Sequence, residues 1–166
     1  IFTNAGGYPI KGHHILLRSL AIVKQKYPDV KLYIPGEPYI GKGVGFRIRM
    51  TGYLKYLLKI ITTNNLLENI VFTGVISSEA MAQRIEGCHV YVMPSTVENH
   101  SSSLIEAMIV GAPCISSLVG GVASLIRHKH NGILYNSLDA ESLAGNIIRV
   151  FENDNLALSI SSEAIK

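Results

Sequence analysis

The hydrophobic period of this chain switches back and forth from one end to the other, and few folds accommodate that. Short apolar runs such as VKLYIPG (30–36), IVFTG (70–74), HVYVM (89–93) and GILY (132–135) read as buried strands. So do residues 1–4 and 113–116. Between them the apolar residues recur at helical spacing: Leu16, Leu17, Leu20, Val23 and Tyr27 within 12–27, then Leu54, Leu57, Leu58 and Ile61 within 51–65. Further helices are expected over 78–86, 102–110, 121–127, 140–152 and 155–165, with Asp139 as the N-cap of the 140–152 helix. Strands that alternate with helices in this way imply an α/β fold, a Rossmann-like doubly wound parallel sheet covered on both faces.

Such a sheet binds its ligands outside the carboxyl ends of the strands, at the point where strand order reverses. The segments to inspect are therefore 5–12, 36–49, 74–78, 94–103 and 117–122. At 166 residues the chain forms one domain, and 48% hydrophobic with 16% charged residues is a globular balance. A net charge of +3 is too small to make nucleic acid the main partner. No apolar run is long enough for a membrane-spanning helix, and the opening IFTNAGGYPI is not a signal peptide. Cys88 and Cys114 lie in apolar runs and are expected to be buried, inert thiols.

From His100 to Ile126 the only Asp, Glu, Lys or Arg is Glu106. A lone carboxylate in so apolar a stretch needs a partner. Ser101, Ser102 and Ser103 open the helix that carries it, and the first amides of a helix attract anions when small side chains let a phosphate approach. Helical side chains lean toward the N-terminus, so Glu106 would sit beside whatever those amides hold. Diphosphate at the amides and ribose hydroxyls at Glu106 is one reading. A capping box, with Glu106 folded back on the Ser103 amide, is the other.

Lys11 stands at the start of the first helix, where the helix dipole disfavours a cation and an anionic ligand would relieve the conflict. An exposed lysine of little cost is the alternative. Gly6 and Gly7, just after the first strand, either admit phosphate close to the backbone or make a tight turn. Other motifs fail. GKGVGF has Phe46 where the last glycine of a dinucleotide fingerprint belongs, and Lys42 is followed by Gly, so it is no P-loop. His13/His14 and His128/His130 lack partners at metal-ligand spacing, and the serines lack a nucleophile-elbow context.

Glu98 and Glu106, in ENHSSSLIE, resemble the E-x7-E motif of the family 4 retaining glycosyltransferases. The likeness extends along the chain. YPIKGHHILLRSLAIVKQKYPDVKLYIPG is similar to that family's Lys-Gly helix and second strand, and IVFTGVISSEAMAQRIEGCHVYVMPS to its F-x-G and P-S strands with the helix between. EAMIVGAPCISSLVGGVASLI and NGILY are similar to the segments that follow.

The resemblance implies the C-terminal, nucleotide-sugar-binding domain of a two-domain GT-B enzyme, with an N-terminal acceptor domain absent from this sequence and this fragment alone inactive. It implies that Glu106 holds the ribose and Glu98 faces the transferred sugar. Lys11, Gly6, Gly7, Asn99, His100, Ser101 and Ser102 would border the phosphates and sugar, and Gly74 and Val75 the base. The reaction would be metal-independent glycosyl transfer with retention, to a glycan or lipid-linked acceptor. The partners would be the nucleotide sugar and the N-terminal domain, without nucleic acid; the location would be cytoplasmic, peripheral membrane association of the full-length enzyme being compatible with it. Two departures stand out: Ala5 occupies a position where many members carry Arg, and Asn99-His100-Ser101 replaces a frequent Gly-Phe-Gly. A nucleotide-sugar epimerase on the same fold and a non-catalytic interaction domain remain as alternatives.

Overall fold

The computed structural model describes residues 1–4, 7–38 and 51–166. Strands β1 (Leu32–Ile34), β2 (Ile70–Phe72), β3 (Tyr91–Met93), β4 (Cys114–Ser117) and β5 (Ile133–Tyr135) are all parallel. β1 pairs with β2, and β3, β4 and β5 pair in that order. Phe2 joins the two groups by bridging Tyr33 on one side and Tyr91 on the other. The first segment thus lies at the centre, and the sheet runs β2-β1-Phe2-β3-β4-β5. This is the strand order of the dinucleotide-binding Rossmann sheet, with its switch point between Phe2 and β3. The expected strand over 1–4 contracts to bridges at Phe2, supported by Phe2 N–H to Val90 O at 3.0 Å and Val92 N–H to Phe2 O at 2.9 Å.

Helices α1 (His13–Lys26), α2 (Gly52–Thr63), α3 (Ser78–Glu86), α4 (Ser102–Ile109), α5 (Ala140–Glu152) and α6 (Asp154–Ala164) follow the expected periods. Asp139 Oδ1 accepts from Ser142 N–H at 2.8 Å and caps α5 as its sequence predicts. The short helix expected over 121–127 is instead a 3-10 turn, Gly120–Ser124. Gly120 enters it at φ +48°, which no right-handed α-helix accommodates.

Residues alternate across the sheet, so each strand feeds two cores. Val92, Ile115 and Ile133 pack with Leu16, Leu20, Leu57, Leu143 and Ile147 on the face covered by α1, α2 and α5. Tyr91, Met93 and Cys114 pack with Phe2, Ile85, Leu104, Met108 and Ile126 on the other. Burying each such aliphatic side chain contributes roughly 1.5–3 kcal/mol. The α1 and α2 helices are also clasped by polar contacts: His14 Nδ1 lies 3.0 Å from the Tyr53 hydroxyl, and Arg18 donates to the Tyr56 hydroxyl.

Both cysteines are free. Burial pushes the Cys88 thiol up to about 11 and raises Cys114 as well, so both are the unreactive thiols their apolar surroundings suggest. Among the described residues no helix is long and apolar enough to cross a membrane, and no cluster of His, Cys, Asp or Glu is arranged to hold a metal ion.

Candidate functional site

Two loops meet at the switch point. One leaves Phe2 and passes through a 3-10 turn, Pro9–Lys11, into α1. The other leaves β3 and leads into α4. Thr96 N–H donates to Ile10 O at 2.8 Å, which ties the second loop to the first. Gly12 makes that approach sterically feasible. Its φ is +72°, and a Cβ there would lie 1.8 Å from Pro94 O.

Lys11 therefore ends the turn ahead of α1, with Gly12 as the N-cap residue. Its Nζ lies 2.8 Å from Glu98 Oε2. The conflict with the helix dipole expected from sequence is thus relieved inside the protein, by a carboxylate from the facing loop. Ser95 Oγ donates to the same Glu98 oxygen at 3.3 Å. Lys11, Ser95 and Glu98 line a narrow crevice with Thr3, Asn4 and Ser103. The pair is partly open to solvent, so its own contribution to stability is at most about 1 kcal/mol.

The loop that carries Glu98 is held from the other side by the Gly120–Gly121 turn. A Cβ on Gly120 would lie 1.6 Å from Glu98 O, and Gly121 N–H donates to Asn99 O at 3.2 Å. Asn99 and His100 are exposed on this loop, whereas Ser101 is buried.

The N-cap of α4 is Ser101, whose hydroxyl accepts from Leu104 N–H at 3.3 Å. The capping box read from Ser103 and Glu106 does not form, because Ser103 already lies inside the helix. Ser102 is exposed in the first turn. Glu106 is exposed and opens onto a cavity of about 390 Å³ with Ile76, Ser77, Met81 and Ile109. Asn4 lines this cavity and the Lys11–Glu98 crevice alike, so the two adjoin at that residue. Beneath them Tyr91 stays neutral: burial raises its hydroxyl far above the ordinary range, against a hydrogen bond with Ser103.

The structure thus brings Lys11, Glu98, Asn99, His100, Ser101, Ser102 and Glu106 to one end of the sheet. Gly7 is exposed in the loop before Lys11; Gly6, Ala5 and the basic loop 42–49 lie outside the described residues. Gly74, at φ +70°, accepts from Gly36 N–H at 2.9 Å, and Val75 points to solvent. Neither lines the cavity that Glu106 opens onto; Ile76 and Ser77 do. Asn4 and Ser95 were not among the candidate site residues read from sequence, since a lone Asn or Ser near a strand end carries no spacing signal.

The sequence model of the family described as glycosyl transferases group 1 matches residues 5–166. The 2-deoxystreptamine N-acetyl-D-glucosaminyltransferase of Niallia circulans is 32% identical over 100 residues, 60% of this chain and 26% of that protein. The phosphatidyl-myo-inositol mannosyltransferase of Mycobacterium tuberculosis H37Rv is 29% identical over 153 residues, covering 89% of this chain and 36% of that one. A crystal structure of Anabaena HepE in complex with UDP-glucose superposes with a TM-score of 0.83 at 26% identity, over 99% of this chain and 42% of that one. The C-terminal domain of a group 1 glycosyl transferase from Francisella tularensis shares the fold, with a TM-score of 0.77 at 19% identity, over 99% of this chain and 80% of that one. Against curated relatives the chain spans only part of the length, from 26% of the Niallia protein to 40% of an uncharacterized glycosyltransferase from Haemophilus influenzae.

Proposed function

This chain belongs to the glycosyl transferases group 1 family, and from that premise we propose that it is the donor domain of a family 4 retaining enzyme. It transfers a glycosyl unit from a nucleotide sugar to an acceptor, a glycan or lipid-linked intermediate held by an N-terminal domain of the same protein. One observation carries the reading: Glu106 opens onto a cavity that adjoins, at Asn4, the crevice holding Lys11 and Glu98. A nucleotide laid along that path has its base toward Ile76 and Ser77, its ribose at Glu106, and its diphosphate near Lys11 and the first amides of α4. The solved neighbours in complex with UDP or UDP-glucose, at 26–27% identity, support UDP as the first nucleotide to try.

Breaking the glycosidic bond leaves negative charge on the diphosphate. Lys11 and the α4 amides stabilise that charge without a metal ion, while Glu98 positions the sugar hydroxyls. Without the acceptor domain the chain binds nucleotide and transfers nothing.

Calorimetric titration with UDP, GDP and ADP, on the wild type and on Glu106→Ala, tests the reading. Saturable binding of one nucleotide, lost in a variant that still folds, supports it. Equal binding by both proteins would remove Glu106 from the donor site. A purely structural Glu106 has little support, since Ser101 already caps the helix.

A further inference from the structure

A second cavity, of about 430 Å³, opens beside β5, the edge strand of the described sheet. His128 and Lys129 line it from the loop before β5, Tyr135 from the end of that strand, and Ser142, Asn146 and Arg149 from α5. None of these residues belongs to the donor site. Among the described residues no Asp or Glu lines it. Asp139, which acts electrostatically on Tyr135, already uses Oδ1 to accept the Ser142 amide in the α5 cap.

Lys129 and Arg149 are exposed, and neither enters a salt bridge among the described residues. His128 Nδ1 accepts from Leu134 N–H at 3.0 Å, which fixes the neutral ring as the Nε2–H tautomer, a donor. Burial and the charges of Lys129 and Arg149 hold that ring's pKa below its usual value. Tyr135 is buried, and its hydroxyl has no hydrogen-bond partner among the described residues. Native proteins seldom leave such a group unsatisfied unless water or a ligand completes it. The cavity therefore gathers donors and positive charge with no acid among its lining residues.

We propose that this cavity binds a small phosphomonoester. Lys129, Arg149 and the His128 Nε2–H meet the phosphate oxygens, and Ser142 and Asn146 meet hydroxyls of the attached carbon skeleton. A guanidinium and an ammonium facing one dianion give charge-assisted hydrogen bonds, the strongest this surface can make. The volume exceeds what a bare phosphate fills, which is why a phosphorylated polyol or sugar is the better occupant.

The test is a residue-resolved NMR titration of the chain with inorganic phosphate and with glucose 6-phosphate, at a pH of about 7.5 where both are mostly dianionic. The expected result is saturable shifts at 128–129, 134–136 and 142–149, tighter for the sugar phosphate, with the His128 ring titrating at higher pH when the ligand is bound. The double variant Lys129→Gln/Arg149→Gln changes only exposed side chains and should weaken binding by about tenfold or more, while UDP still shifts the Lys11 and Glu106 region. Shifts confined to Lys11 and Glu98, shifts that never saturate, or equal affinity in the double variant would each overturn the proposal. A sugar phosphate no tighter than inorganic phosphate would remove the role given to Ser142 and Asn146.

Discussion

Lys11 Nζ and Glu98 Oε2 stand 2.8 Å apart across 87 positions of sequence, and they are the two residues assigned to opposite ends of the donor's transferable bond. Each neutralises the other. On the proposed reading of the site, a diphosphate draws Lys11 away from Glu98 and frees the carboxylate for the sugar. Lys11→Gln should therefore weaken nucleoside diphosphate binding by about tenfold, the loss of one charge-assisted hydrogen bond. Glu98→Gln removes the competitor, so the diphosphate should bind as tightly as to wild type or more tightly. The extra affinity for the sugar nucleotide should disappear. Parallel titrations with UDP and UDP-glucose read both effects, and a weaker UDP complex in Glu98→Gln would contradict the exchange.

Gly12 and Gly74 share a left-handed backbone but not the same surroundings. A Cβ on Gly12 meets Pro94 O at 1.8 Å, whereas one on Gly74 meets nothing within 4 Å. Gly74→Ala should cost about 1 kcal/mol, the price of φ alone. Gly12→Ala should cost on the order of 3 kcal/mol or more, because backbone must also shift. Urea unfolding of the two variants gives the comparison directly.

The serine that caps α4 and the glutamate on its flank separate stability from binding. Ser101→Ala should destabilise by about 1 kcal/mol through the lost cap. Glu106→Ala, at an exposed position outside the cap, should change stability by less than about 0.5 kcal/mol while reducing nucleotide affinity. Thermal melts beside the calorimetry distinguish these roles. A Glu106→Ala variant as unstable as Ser101→Ala would return Glu106 to a structural part.

His14 gives the fold a pH dependence of known sign. Burial first, and the Arg18 charge second, lower its pKa below the ordinary value of about 6.5. Above that value both folded and unfolded chains hold the ring neutral. As the pH falls through it, the unfolded chain takes up the proton first, so stability declines toward acid. His128 is shifted in the same direction, so wild type alone is ambiguous. The urea midpoint of His14→Gln, followed from pH 7.5 to 5, should fall less than that of wild type.

Much of this arrangement was legible in the sequence. The strand and helix periods located β1 to β5 and α1 to α6 because each buries a regular stripe; Lys11 stood out by its place at a helix start, Glu106 as a lone carboxylate in an apolar stretch, and Glu98 by its spacing from Glu106 in a resembling motif. The capping-box alternative placed the cap of α4 at Ser103, two positions beyond Ser101, which caps it. Three consecutive serines offer the same hydroxyl, and only the extended backbone at Ser101 selects the one that caps. The Lys11–Glu98 pair and the shared position of Asn4 join residues far apart in sequence, for which no local spacing gives notice. Gly74 and Val75 do not line the cavity that Glu106 opens onto, whereas their neighbours Ile76 and Ser77 do: a backbone bridge to Gly36 holds Gly74, and Val75 is exposed.

The central place of Phe2 has a kinetic corollary. β1 and β2 can zip together around α2, and β3 to β5 around α4 and α5, each from chain that is nearly contiguous. The segment 1–3 alone stitches these half-sheets to one another in the described fold, reaching Tyr33 and Tyr91 over very different loop lengths. Closing the longer loop costs more entropy and is rewarded last. The Lys11–Glu98 crevice lies on that seam. It is thus expected to be the final feature to mature during folding and the earliest to open when the domain begins to come apart.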